Sequence, residues 1–174
     1  MRPSELTQFI RESRRQAALA VHQEMIVLFW GIGREILVRQ ERGKSETQVI
    51  DRLTADLYQA FPEKPRMFSA CNLRYMRVFA EAWPDIERVY QLAAQLPWDH
   101  HKQLLDTLDA PAEREWYACQ AIIHGWSVNV LSFHIQNRLM AREAGAPSEL
   151  AARPQASTRR AKRRRHRRTA PHPA

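Results

Sequence analysis

The sequence predicts an all-α protein: a compact bundle of about six or seven helices with a helix-turn-helix-like pair, followed by a disordered basic tail. Three observations lead there. Apolar residues recur at steps of three and four through most of residues 4–139, the spacing that gathers them on one side of an α-helix. No segment alternates apolar and polar residues long enough to make a strand. From Ala144 onward aromatics vanish and Ala, Arg, Pro, Ser and Thr dominate, so that segment cannot bury enough apolar surface to offset the entropy of ordering it. The expected division is a helical body, 1–143, and a tail, 144–174.

Each helix has its own warrant. Ser4 is a good N-cap, because its hydroxyl can accept a free N–H of the first turn. Behind it Leu6, Ile10, Ala17, Val21, Met25, Leu28, Ile32 and Ile36 trace one line, to about Gln40, with Gly43 as the natural stop. Between Met25 and Trp30 the pattern is apolar all round, which places that part at the centre of the core. Gly31 and Gly33 permit either close helix packing or a break. A second helix fits Thr47 to Phe61, with Val49, Ile50, Leu53, Leu57 and Phe61 inward. Pro62 and Pro65 force a non-helical link. Ser69 caps a third helix whose inward face is Leu73, Met76, Phe79, Ala80 and Trp83, limited by Pro84. A weaker helix occupies Asp85 to Gln95, and Pro97 fits the first turn of another reaching about Leu108. Pro111 opens a further helix, with Glu113 and Glu115 near its positive end, and Gly125 closes it. Ser127 caps the last, with Val128, Leu131, Ile135 and Leu139 inward.

The net charge of +8 is unevenly spread. Residues 151–174 hold Arg153, Arg159, Arg160, Lys162, Arg163, Arg164, Arg165, Arg167 and Arg168 and no acid, which leaves the preceding residues at −1. Residues 159–168 are therefore expected to bind nucleic acid without reading sequence, and a partner for the body must be argued from local placement. Cys71 and Cys119 suggest reduced, buried thiols in a cytoplasmic protein. The longest apolar run, Met25 to Ile32, has eight residues, against the ~20 that span a bilayer, so no membrane is expected.

No catalytic constellation is found. His100 and His101 are adjacent, so on a helix they point about 100° apart and do not readily share a metal. His124 and His134 are distant, and no H-x-x-x-H, C-x-x-C or paired carboxylates accompany them. Cys71 has no defined base, and Gly31-x-Gly33 lies inside a helix pattern without a strand ahead of it. The expectation is a protein that is not an enzyme and has neither metal nor cofactor. Trp98, Trp116 and Trp126 are read as core residues with locally satisfied N–H groups. Trp30 is read as core because it sits in the all-apolar part of the first helix.

Arg74 and Arg77 stand on the open side of the third helix, and Lys64 and Arg66 lie in the turn before it. Such a helix after another helix is what a duplex-DNA reader needs, and these four residues are the candidate DNA contacts. The alternative is a solvated face, with pairing to Glu81. The link between the two helices is longer than in the tight form of the motif.

The blocks Met25-Ile26-Val27-Leu28-Phe29-Trp30-Gly31-Ile32-Gly33, Val49-Ile50-Asp51-Arg52-Leu53, Phe61-Pro62, Phe68-Ser69, Asn72-Leu73-Arg74-Tyr75-Met76-Arg77, Leu96-Pro97-Trp98, Trp116-Tyr117-Ala118 and Gly125-Trp126-Ser127 carry a likeness over about residues 4–139. In this order they resemble the N-terminal helical domain of the bacterial YhcG-like family. The resemblance implies a DNA-related role, because in such proteins the domain precedes a PD-(D/E)XK nuclease domain that uses acids, Mg²⁺ and a lysine. None of those catalytic residues is assignable here. Two departures stand out: Lys44-Ser45 replaces the family's Trp-Gly pair, and the likeness stops after Leu139. The Arg-rich run beyond it is expected from a frameshift or truncation; the alternative is a genuine basic tail. Three functions follow: a non-catalytic DNA-binding module of a nuclease, a partner-binding or oligomerisation module, or an inactive fragment.

Overall fold

Eight α-helices and one 3₁₀ turn, with no strand, make up residues 2–145, the part of the chain that the computed structural model describes. They are α1 (Pro3–Glu41), α2 (Glu46–Ala60), α3 (Ala70–Ala82), α4 (Ile86–Gln91), a 3₁₀ turn (Ala93–Gln95), α5 (Trp98–Thr107), α6 (Pro111–His124), α7 (Val128–Gln136) and α8 (Leu139–Gly145). The fold is all-α, as the apolar periodicity predicts. The tail expectations from residue 146 onward lie outside the described residues.

The N-cap of α1 is Arg2, not Ser4. Pro3 occupies the first helical position, where its missing N–H costs nothing and its fixed φ suits the helix. Glu5 closes the end by accepting from the Arg2 backbone N–H at 2.8 Å. At 39 residues α1 is about 58 Å long, and residues 3–21 stand exposed along the whole of that stretch. The helix runs unbroken through both glycines. It stops at Arg42, and Gly43, at φ +85°, turns the chain towards α2.

The apolar line read from the sequence along α1 is not its core face. The buried residues are Ile26, Phe29, Gly33 and Ile36, whereas Leu6, Ile10, Val21 and Leu28 are exposed. The reason is geometric. With Ser13 counted between Ile10 and Ala17, Leu6 to Ile36 covers 30 residues in eight steps, about 3.75 each against the helix repeat of about 3.6, so the line precesses by roughly 120° around the helix. It begins on a solvent face and meets the core only at its end.

Gly33 fixes where α1 crosses α3. A Cβ there would collide with the Met76 carbonyl and come within 2.8 Å of the Ala80 Cβ. The missing side chain lets the two backbones touch, which decides the question of packing or break in favour of packing. Leu73, Met76, Phe79, Ala80 and Trp83 of the α3 region are all buried, as their spacing predicts. Trp30 is half-buried against the core and donates its indole N–H to the Trp83 carbonyl at 2.6 Å. Val49 and Ile50 bring α2 onto the same core, while Phe61 stays 45% exposed.

Aromatic rings fill the space between α1, α3 and α5: Phe29 lies 4.9 Å from Trp98, and Phe79 lies 5.3 Å from Trp98 and 4.7 Å from His101, centre to centre. Trp116 and Trp126 pack half-buried against the core's edge. Gly125, at φ +62°, ends α6, and Ser127 caps α7 by accepting from Val130 N–H. The last predicted helix is two. Arg138 adopts φ +50°, which breaks the rod between Gln136 and Leu139, and the Tyr117 hydroxyl accepts the Met140 N–H at 3.3 Å across the break.

Gly33→Ala is therefore expected to destabilise the fold by about 1–3 kcal/mol or more, through forced separation of the helices. Gly31→Ala, with open space around it, should be neutral or stabilising by up to ~1 kcal/mol. Urea unfolding of the two variants against the parent checks both, and similar midpoints for the pair would refute the packing account.

Candidate nucleic-acid interface

The α2–α3 corner is built by its connection. The Phe61 carbonyl accepts from Lys64 N–H and the Lys64 carbonyl from Met67 N–H, each at 3.1 Å, so the link is two successive turns. Ser69 then caps α3: its hydroxyl accepts from Asn72 N–H and donates to the Arg66 carbonyl at 3.2 Å. Asn72 is half-buried and latches the link to the core. Its amide donates to the Met67 carbonyl at 2.7 Å, and its Oδ1 accepts the Trp98 indole N–H at 2.8 Å.

The four candidate DNA contacts separate into two kinds. Arg74, Lys64 and Arg66 are exposed and have no ion-pair partner among the described residues. Arg77 is different. Its Nη1 lies 3.1 Å from Glu81, its Nε 3.5 Å from Glu46 of α2, and its side chain is only 20% exposed. The expectation that Arg77 offers a free guanidinium is corrected: two carboxylates hold it, and it ties α3 to the first turn of α2. The sequence showed Glu81 at helical spacing, but nothing in it showed that Glu46 would approach from another helix.

Arg66 also lines a groove of about 420 Å³ with Met25, Phe29, Tyr75, Trp98 and Lys102. The Tyr75 hydroxyl donates to the Asp106 carboxylate at 2.8–2.9 Å, which holds the phenol proton more tightly than usual. Lys102 pairs with Asp99 at 2.8 Å. Cys71 opens onto this groove and is exposed, and Cys119 is half-buried; both are free thiols. The expectation of two buried thiols is corrected, because Cys71 lies in the first turn of α3, where the core face starts only at Leu73.

His100 and His101 are both buried, a role their sequence position did not reveal. His100 Nε2 meets the Trp126 carbonyl at 2.7 Å and His101 Nε2 the Ala93 carbonyl at 2.8 Å. With carbonyls as partners, both Nε2 atoms carry the proton. Among the described residues no group of three or more His, Cys, Asp and Glu side chains could hold a metal ion. Nor is any helix there long and apolar enough to cross a membrane.

An all-α domain with a capped, outward-facing helix after a turn-rich link is the class that fold and corner define. Residues 5–142 match the sequence profile of the DUF1016 N-terminal domain, and the chain belongs to this family. The match covers the span of the YhcG-like resemblance and reaches slightly past Leu139. No curated protein and no solved structure matches the chain.

Burial lowers the His101 pKa to about 4, against an ordinary value of 6.5. The neutral ring is the folded form, so its contribution is complete above pH ~6.5 and is lost as pH falls towards 4. That loss amounts to roughly 3 kcal/mol at about 1.4 kcal/mol per unit. Chemical unfolding at pH 7.5 and pH 5 should show about 2 kcal/mol of it, because pH 5 lies about 1.5 units below the ordinary value, and His101→Phe should flatten the difference. An equally steep dependence in the variant would assign the effect to other groups.

Proposed function

We propose that this chain is a non-catalytic, DNA-binding module of the kind that precedes a nuclease domain, with duplex DNA as its partner at the α2–α3 corner. The observation that carries this reading is Arg74, exposed on the outer side of α3 and without an ion-pair partner among the described residues, with Lys64 and Arg66 exposed on the link before it. A guanidinium can bond a guanine edge or a phosphate through two parallel N–H donors. Arg77 then has a supporting role, keeping α3 at a fixed angle to α2 through Glu46. Family membership supports the reading through the nuclease domain that such helical domains accompany.

The test is duplex titration of the full chain, repeated with the basic residues of 159–168 changed to Ser so that the tail does not mask the corner. Arg74→Ala should leave thermal unfolding unchanged and weaken binding by about 1–3 kcal/mol if it meets a base. Lys64→Ala should weaken all sequences alike and reduce the salt slope by about one contact. Equal affinity for parent and both variants would remove DNA from the corner.

A second reading, a module that pairs with another copy of itself, rests on the α1 arm. Its exposed apolar residues include Leu6 at 47%, Phe9 at 61%, Ile10 at 48% and Val21 at 71%. Leu6, Phe9 and Ile10 lie in its first two turns, while Ser13, Ala17 and Ala20 follow as small ones, with Leu19 and Val21 as the bulky residues of that later stretch. Antiparallel pairing sets large against small, so two arms would cover each other's stripe. Sedimentation equilibrium should show a dimer that Ile10→Asp converts to monomer. A parent chain that stays monomeric at high concentration would end this reading.

A further inference from the structure

A second cationic feature lies apart from the four candidate contacts. The end of α1 and the side of α2 enclose a recess of about 350 Å³, walled by Arg39, Arg42, Lys44, Arg52 and Asp56. We propose that it is a phosphate-binding site that takes a backbone phosphate of duplex DNA, a proposal that rests on the DNA reading of the neighbouring α2–α3 corner.

Local structure explains why these side chains converge. Arg39 ends the last turn of α1 and Arg42 is its C-cap. Gly43, at φ +85°, reverses the chain, so Lys44 and the start of α2 return alongside. Arg52 and Asp56 are four residues apart and share a face of α2. Four cations and one acid thus come from three pieces of chain.

Their charge is largely uncommitted. Arg39 pairs with Glu35 at 2.8 Å, but Arg42, Lys44 and Arg52 have no ion-pair partner among the described residues. The negative end of α1 accounts for cations in its last turn; it does not account for Lys44 or Arg52. Elsewhere in the body Arg15, Arg77, Arg88 and Lys102 each meet an acid. The recess therefore concentrates positive potential in a body without net positive charge. A tetrahedral phosphate suits it, since several oxygens can accept from guanidinium forks approaching from different sides.

Position links the recess to the corner. Lys44 lies two residues before Glu46, the carboxylate that holds Arg77 of α3. A strand whose base edges met Arg74 would have neighbouring phosphates for the recess to take. Contacts of this kind set register and carry salt dependence without reading sequence.

The test uses the full chain, with the native tail and with the basic residues of 159–168 changed to Ser, and two probes: a duplex and inorganic tripolyphosphate. Arg42→Ser with Arg52→Ser should weaken duplex binding about ten-fold, and should make the slope of log affinity against log salt shallower by about 1.8, as two lost phosphate contacts require. Asp56→Asn should instead tighten duplex binding several-fold, a gain that misfolding cannot produce. A double variant that unfolds at the parent temperature and binds duplex with parent affinity and slope overturns the proposal. If the double variant does not fold, an Asp56→Asn chain with parent affinity overturns it. Tripolyphosphate binding that depends on Arg42 and Arg52, in a chain that binds no duplex, supports the phosphate site and refutes the DNA reading. Duplex binding that needs Arg74 and not the recess does the reverse.

Discussion

The crossing of α1 over α3 at Gly33 is the contact on which the rest of the structure depends. With a Met76 carbonyl where a Cβ would sit, the two helices approach as closely as backbones can. Buried Ile26, Phe29 and Ile36 then share one core with Leu73 and Phe79, and each fully buried large side chain contributes about 1.5–3 kcal/mol. The crossing also orients α3. Once its Leu73–Met76–Ala80 side is used on α1, Arg74 has only solvent to face. The corner's character is thus a consequence of packing on the opposite side of the same helix.

A second constraint lies at α5. Its first turn carries Trp98, His100 and His101 into the interior, and buried polar groups must find partners. The 3₁₀ turn at Ala93–Gln95 supplies the Ala93 carbonyl to His101, and the α6–α7 junction supplies the Trp126 carbonyl to His100. Two irregular segments are in this way fixed by histidines rather than by apolar contacts alone. The Asn72 bond to Trp98 joins this centre to the cap of α3. Disturbing α5 would accordingly be felt at the α2–α3 corner, through one side-chain amide.

How much of this was legible depended on whether a signal was local. The α3 cap and core face followed from Ser69 and a clean 3.6 repeat, because the buried side of this helix is one continuous apolar stripe. Pro111 and Gly125 likewise marked α6. The core face of α1 was misplaced because the helix has two apolar faces, one used by the core and one left in solvent. Periodicity records apolar positions and not what covers them. The Arg77 tie to Glu46, the burial of His101 and the α7–α8 break at Arg138 all depend on residues distant in sequence or on a rare backbone conformation. The recess was invisible for the same reason: Arg39, Arg42, Lys44 and Arg52 read as scattered surface charges until the Gly43 turn folds α2 back beside α1.

Charge placement follows from the same geometry. A body whose acids and bases nearly balance has little long-range pull on a polyanion, so any affinity must come from cations left over after internal pairing. Internal pairing is selective here. Arg77 is taken up where two helices meet, Arg88 where α4 meets α6, and Arg15 within the α1 arm. The cations without such partners among the described residues include four at chain reversals: Arg42 and Lys44 at the α1–α2 turn, Lys64 and Arg66 at the α2–α3 link. Reversals expose side chains on several sides, and few neighbouring helix faces there present acids at fixed spacing. The α1–α2–α3 array therefore collects free positive charge at both ends of α2, and α2 is the short rod that sets the distance between them.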